Sequence, residues 1–156
     1  MDGVQPQLMV PLERLRFRRQ FLLGPRRYAP NEHWTCISLP RGLELSVHSD
    51  LPFDVGSHGG VTVTLIGRAI DPGNPETTES EIARSLAAKA SSLDSVIELT
   101  RPLAGRWAVI FQTAEGARLF TDPCGLRQVF YYSDGETGWC ASQPELIRAN
   151  CPLRLS

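Results

Sequence analysis

The sequence has no apolar run close to the roughly 20 residues that a membrane-spanning helix needs. Its first 30 residues contain arginines where a signal peptide would have an apolar segment, which predicts a cytoplasmic protein without a membrane partner. The chain also lacks any CxxC pair, since its four cysteines are widely separated: Cys36, Cys124, Cys140 and Cys151. This spacing argues against a zinc site and against a disulfide scaffold, so we expect reduced thiols.

The chain has no strong excess of charge of either sign. Its net charge of −1 argues against general affinity for nucleic acids. Six arginines nevertheless cluster near the start: Arg14, Arg16, Arg18, Arg19, Arg26 and Arg27. A site for a phosphate or an acidic partner is one interpretation of this cluster. A solvated strand face, on which arginine stems cover apolar neighbours, is the favoured interpretation.

The three histidines, His33, His48 and His58, are not spaced as metal ligands on one element. We therefore predict no metal site, and no motif in the chain predicts a cofactor. The length of 156 residues fits one domain, with 42% hydrophobic and 21% charged residues as in average globular proteins. The prolines and the lack of periodicity at the start predict an extended leader at 1–11, followed by a single domain at 12–156.

Alternating apolar and polar residues predict strands at 15–23, 34–39, 43–47 and 61–66, with a glycine-rich break at 56–60. Thr78 and Glu81 have the spacing of a capping box, which predicts the start of an amphipathic helix. A second short helix is predicted at 94–99. Four further strand-length runs predict an antiparallel meander in the last third, and the Ser142 and Glu145 pair predicts a closing capped helix.

The aromatic residues at strand spacing are expected to pack in the core rather than to stack on a ligand. Several aliphatic residues on the same strands and on the first helix are expected to join them. The predicted core comprises Tyr28, Trp34, Val61, Val63, Leu65, Ile82, Leu86, Trp107, Val109, Phe111, Phe130, Tyr131 and Trp139.

The last third of the chain contains a series of short motifs: L-A-G-R-W-A at 103–108, L-F-T-D-P-C-G-L-R at 119–127, V-F-Y at 129–131 and C-A-S at 140–142. In order and spacing this series resembles the amino-terminal glutamine-amidotransferase-like domain of the asparagine synthetase family. Members of that family have L-x-G-x-F-A, L-F-L-A-R-D-R-x-G-x-K-P-L-Y-Y and F-A-S-E. The similarity extends more loosely to the preceding strand and helix.

The resemblance implies the α+β fold of the N-terminal-nucleophile (Ntn) hydrolases, a four-layer αββα sandwich of two antiparallel sheets. Within the motif, Asp122 and Gly125 are expected to be structural. An aspartate can accept hydrogen bonds from the backbone of its own turn, and a glycine adopts conformations that other residues resist.

Glutamine hydrolysis in this family requires a cysteine that is activated by its own free α-amino group. Position 2 of the sequence is Asp2 instead. Cys36 is the only early cysteine, and it would gain a free amine only if the chain were cleaved before it. A buried, inert thiol is the favoured interpretation, so no catalytic residue is predicted and Cys36 is the fallback.

Two further family features are altered. The family's N-G-E-I strand end, whose asparagine helps to form the oxyanion hole, aligns with 66–69, where Ile66 cannot donate a hydrogen bond. Gly67 is retained. The family's ammonium-binding aspartate aligns with Glu79. By this alignment Gly67 and Glu79 are weak candidates for substrate binding, and the arginine of the family's R-L-S motif has no counterpart.

These departures predict a catalytically silent amidotransferase-like domain that acts as a scaffold or interaction module in amide-forming biosynthesis. The resemblance implies an ATP-dependent synthetase domain elsewhere as its partner, since the S-G-G-x-D-S loop of the adenylating half is not in this chain. β-Lactam synthetases and lasso-peptide cyclases are relatives that lack the nucleophile. The alternatives are a glutamine amidohydrolase that is processed to expose Cys36, and a free-standing binding module that forms a homo-oligomer.

Overall fold

A computed structural model describes residues 17–151. Nine strands and three α-helices lie within this range. The strands are β1 (Phe21–Gly24), β2 (Trp34–Leu39), β3 (Leu43–His48), β4 (Phe53–His58), β5 (Val61–Ile70), β6 (Ala104–Thr113), β7 (Gly116–Thr121), β8 (Phe130–Ser133) and β9 (Gly138–Ala141). The helices are α1 (Glu79–Lys89), α2 (Leu93–Thr100) and α3 (Pro144–Arg148). The predicted leader, 1–11, lies outside the described residues.

The strands form two antiparallel sheets. Sheet A has the order β2-β3-β1-β9-β8, and sheet B has the order β4-β5-β6-β7. Sheet A therefore combines strands from the beginning and the end of the described chain, because β1 pairs with both β3 and β9. This pairing corrects the predicted meander: β6 and β7 belong to sheet B, whereas β8 and β9 belong to sheet A.

Alternation along the strands sends apolar side chains to both faces of each sheet. One cluster joins the two sheets, with Phe21 and Leu45 from sheet A in contact with Ile66 and Ile110 from sheet B. A second cluster packs α1 and α2 on the other face of sheet B. A third packs α3 on the other face of sheet A. The predicted α+β class with two antiparallel sheets is confirmed, and the packing is compatible with a sandwich.

Helix α1 begins as its sequence predicts. The Thr78 hydroxyl accepts a hydrogen bond from the Glu81 backbone N–H, and the Glu81 carboxylate accepts one from the Thr78 backbone N–H, at 2.8 Å. Ile82 and Leu86 then point into the core beneath the helix. No helix among residues 17–151 is long and apolar enough to cross a membrane.

The close packing of α1 on β4 explains one wrong prediction. The break predicted at 56–60 is instead a continuous strand up to His58, and the turn is formed by Gly59 and Gly60. Gly56 is buried in this strand, where a Cβ atom would overlap the backbone of Ala83 in α1. The glycine therefore permits helix contact and does not interrupt the strand.

The predicted capping box of the last helix is also wrong. Helix α3 has Gln143 as its N-cap, and no side chain caps it. Ser142 instead accepts a hydrogen bond from the backbone N–H of Phe21 at 2.8 Å, joining β9 to β1. The strand predicted at 15–23 is shorter as well, since β1 begins at Phe21 after a turn, while residues 15 and 16 lie outside the described range.

Most of the predicted core is buried, including Trp34, Trp107 and Trp139. The prediction is wrong for Phe130 and Tyr131, whose exposed fractions are 40% and 83%. Both residues lie on β8, a four-residue strand at the edge of sheet A that has a paired strand, β9, on one side only among the described strands.

Candidate functional site

Two glycine–arginine pairs lie side by side at one end of sheet B. Arg68 on β5 is directly opposite Arg106 on β6 in the antiparallel register. Gly67 and Gly105 precede them with φ angles of +99° and +112°. A Cβ atom at Gly67 would overlap the carbonyl oxygen of Arg106, and one at Gly105 would overlap that of Arg68. Both positions therefore require glycine, and their φ angles depart from regular strand geometry while the pairing continues to Ile70 and Ala104.

Like charges that face each other across two strands destabilise a sheet. Arg68 is compensated, because its guanidinium forms an ion pair of 3.0 Å with Glu79 at the start of α1. Arg106 belongs to none of the ion pairs found within residues 17–151. The strand end thus keeps a positive charge without a carboxylate partner from the described chain.

A tight turn places a third arginine beside this pair. The Asp122 carboxylate accepts hydrogen bonds from the backbone N–H groups of Cys124, Leu126 and Arg127 at 3.0–3.1 Å. Burial alone would raise the pKa of Asp122, but these backbone hydrogen bonds outweigh it and lower the pKa below its ordinary value. Gly125 occupies the turn with a φ of +63°. The ionised carboxylate therefore fixes the backbone from which Arg127 projects.

Arg127 is almost entirely buried, with 8% of its surface exposed. One guanidinium Nη donates to the carbonyl oxygen of Arg19 at 3.4 Å, but Nε has no acceptor in the part of the chain that the structure describes. Burial, with a smaller contribution from the charge of Arg106, lowers the pKa of Arg127 to about 10, and the charge of Asp122 partly opposes this shift. A buried guanidinium with an unused donor carries a desolvation cost that an anion would offset.

Two cavities open beside Arg127. The first, here named the arginine cavity, has a volume of about 420 Å³. Its charged lining residues are Arg18, Arg19, Asp50, Arg68, Arg106 and Arg127. The second, here named the amide cavity, has a volume of about 460 Å³ and is lined by Gln20, Gln128 and Gln143 among others. Gln20, Arg106 and Arg127 line both cavities, so the two adjoin.

The arginine cluster predicted near the start separates in the structure. Arg18 and Arg19 line the arginine cavity, where Arg18 pairs with Asp50 at 2.6 Å. Arg26 lies over the Trp139 ring, and Arg27 pairs with Glu44 at 2.9 Å. Arg14 and Arg16 lie outside the described residues. The cluster is therefore divided between a cavity wall and a partly packed strand surface.

The four cysteines all lie within residues 17–151, and none lines the arginine cavity or the amide cavity. Cys36 is half-buried in the middle of β2, opposite Ser46, with its Sγ 3.4 Å from the serine hydroxyl oxygen. Cys124 is exposed in the Asp122 turn. Burial raises the pKa of Cys140 and, more strongly than any other influence, that of Cys151, which favours the unreactive thiol form.

The residues predicted from the sequence fall in two places. Gly67 lines the arginine cavity, and Glu79 is linked to it through Arg68. The Gly67 N–H already donates to the carbonyl oxygen of Pro52 at 2.7 Å, so it is not a free donor for a ligand. Asp122 and Gly125 lie together in the turn before Arg127.

Sequence reasoning missed Arg68, Arg106 and Arg127 as a group. The available signal was the repeated Gly-Arg dipeptide on two neighbouring strands, but only the register of β5 and β6 shows that the arginines meet. Chemically, the group can bind an anion in a recessed cavity. No protein-family model and no curated protein matches the sequence. A function for this cavity is therefore inferred from its geometry.

Proposed function

We propose that the chain is a catalytically silent glutamine-amidotransferase-like domain with the αββα fold of the Ntn hydrolases. In this proposal it acts in the cytoplasm as a scaffold or interaction module for amide-forming biosynthesis, together with an ATP-dependent synthetase on another segment or protein. One observation carries the proposal: the cavity at the strand end that aligns with the family's oxyanion site is lined by arginines and contains no cysteine among its described residues.

The order of packing supports the fold assignment. Helices α1 and α2 cover one face of sheet B, the two sheets share a core, and α3 covers the far face of sheet A. That sequence of layers is the one that an αββα sandwich requires. The asparagine synthetase-like motif at 119–127 forms the turn that Asp122 stabilises, which suits its expected structural role.

Residues 66–69 are those that the resemblance aligns with the family's N-G-E-I strand end. Two of them, Gly67 and Arg68, line the arginine cavity. Ile66, at the position of the family's asparagine, is fully buried in the core between the sheets. It offers no hydrogen-bond donor to an oxyanion. Loss of one such donor typically slows hydrolysis by about 100- to 1000-fold.

The environment of Cys36 supports the absence of a nucleophile. Alternation along β2 puts Ile37 and Leu39 in the core between the sheets and directs Cys36 to the opposite face. Cleavage before Cys36 would remove Trp34 and Thr35, which pair with His48 and Val47. Processing would therefore damage sheet A and leave the new amine away from the shared core.

An assay of a candidate ATP-dependent synthetase, with and without this chain, tests both parts of the proposal. We expect the chain to stimulate amide formation from a free amine, because a scaffold needs no thiol. Glutamine should not replace the amine, no ammonia should be released from it, and the chain should keep its full mass. Ammonia release that disappears in the Cys36→Ser variant, or a fragment beginning at Cys36, would support the amidohydrolase instead.

A further inference from the structure

The arginine cavity presents more positive charge than the described chain neutralises. Of its five arginines, Arg18 pairs with Asp50 and Arg68 pairs with Glu79. Arg19, Arg106 and Arg127 take part in none of the ion pairs within residues 17–151. A single carboxylate would leave two of these charges uncompensated, whereas a phosphate or diphosphate group carries two or more negative charges.

The geometry of Arg127 indicates a site that is prepared before the ligand binds. The Asp122 turn fixes its backbone, and its burial reaches nine-tenths, while Arg127 still lines both cavities. Because a planar guanidinium has several N–H donors, it suits phosphate oxygens well. The neighbouring end of β6 contributes Arg106, whose backbone carbonyl oxygen lies close to Gly67 on β5.

The adjoining amide cavity has room for the remainder of a ligand. Its lining includes one acidic residue, Glu145, and three glutamines, Gln20, Gln128 and Gln143, whose amides can donate to and accept from hydroxyl or carbonyl groups. Its volume of about 460 Å³ lies in the range of small-molecule sites. A ligand with an anionic end and a neutral polar body would occupy both cavities.

We propose that the arginine cavity binds the phosphate or diphosphate group of a soluble small molecule through Arg106 and Arg127, with the polar body of that molecule in the amide cavity. This inference does not depend on the proposed scaffold role. It rests on the charge, burial and geometry of the cavity alone.

Isothermal titration calorimetry of the chain with inorganic pyrophosphate tests the proposal. We expect saturable binding that weakens as sodium chloride is raised, because part of the attraction is Coulombic. Arg127→Met and Arg106→Gln should each weaken binding about 10- to 100-fold, the loss expected for hydrogen bonds to a charged group. Arg118→Gln, at an exposed arginine on β7 that lines neither cavity, is the matched control and should bind normally.

Thermal unfolding without ligand separates binding from a structural role. Arg127→Met should keep the melting temperature of the unchanged protein or raise it, since it removes a buried charge that takes part in none of the ion pairs within residues 17–151. If that variant fails to fold, Arg106→Gln still decides the question, because Arg106 is exposed. No binding of pyrophosphate, equal binding by the arginine variants, equally tight binding of acetate, or binding only to phosphatidic acid vesicles would each overturn the proposal.

Discussion

Gly67→Ala should lower the free energy of unfolding by about 2–5 kcal/mol, through a backbone term and a packing term. The backbone term arises because alanine resists the φ of +99° found at this position. The packing term arises because the new Cβ would overlap the carbonyl oxygen of Arg106 and lie 3.0 Å from an Nη atom of Arg127. Urea unfolding monitored by tryptophan fluorescence would measure the loss.

Gly42→Ala is the matched control for this substitution. Gly42 has a φ of +72°, but no atom lies within 4 Å of the position that its Cβ would occupy. It should lose only the backbone term, about 1–2 kcal/mol. If the two variants lost the same free energy of unfolding, this would contradict the close contact between β6 and Gly67.

Asp122→Ala should lower the free energy of unfolding by about 2–4 kcal/mol, because it leaves one buried and two partly buried backbone N–H groups without this acceptor. Three backbone groups, those of Cys124, Leu126 and Arg127, donate to this carboxylate, which is only 3% exposed. The measurement is again urea unfolding. Asp134→Ala is the control, since Asp134 accepts from Glu136 and Thr137 in an exposed hairpin, where water replaces the lost bonds.

The same residue predicts how stability depends on pH. The folded pKa of Asp122 is lower than that of an unfolded aspartate, about 3.9. Its contribution is therefore complete above the unfolded pKa and is lost as the pH falls through the folded value. Below pH 4, the unchanged protein should lose stability more steeply than Asp122→Ala does. Parallel pH profiles of the two proteins would contradict the role assigned to this carboxylate.

Structural features that depend only on residues close together in the sequence could be predicted. Helix α1 begins at its capping box because Thr78 and Glu81 satisfy each other's backbone groups within three residues. Ser142 and Glu145 have the same spacing, yet Ser142 bonds to Phe21 on a strand 121 residues away. Local spacing cannot reveal that the Phe21 N–H competes for the Ser142 hydroxyl, because the two groups meet only when β9 pairs with β1.

The candidate site was less accessible to sequence reasoning for a related reason. Gly67 and Asp122 could be named from motifs, but the meeting of Arg68 with Arg106 depends on strand register, and a shift of one residue would separate them. Arg127 reaches the same cavity only through the geometry of the Asp122 turn. Its burial and unused Nε donor are properties of packing, for which the sequence carries no local pattern.

The Asp122 turn and the paired ends of β5 and β6 bring two arginines to the same cavity. Asp122 fixes the backbone at Arg127, the close approach of Gly67 and Gly105 fixes the backbone at Arg106, and both arginines line the cavity that the proposed alignment equates with an amidotransferase's oxyanion site. We propose that this cavity is an anion-binding site in this chain and a glutamine-hydrolysing site in active members of the family. The reactive thiol is the group that the account excludes.

Covalent labelling of the native protein with a glutamine-mimicking electrophile, followed by intact-mass spectrometry, tests this exclusion most directly. An unchanged mass is expected, since none of the four cysteines lines either cavity, Cys151 is buried, and Cys36 and Cys140 are half-buried. The exposed Cys124 can be replaced by serine to remove nonspecific reaction. Stoichiometric labelling of any remaining cysteine, blocked by glutamine, would contradict the proposed function.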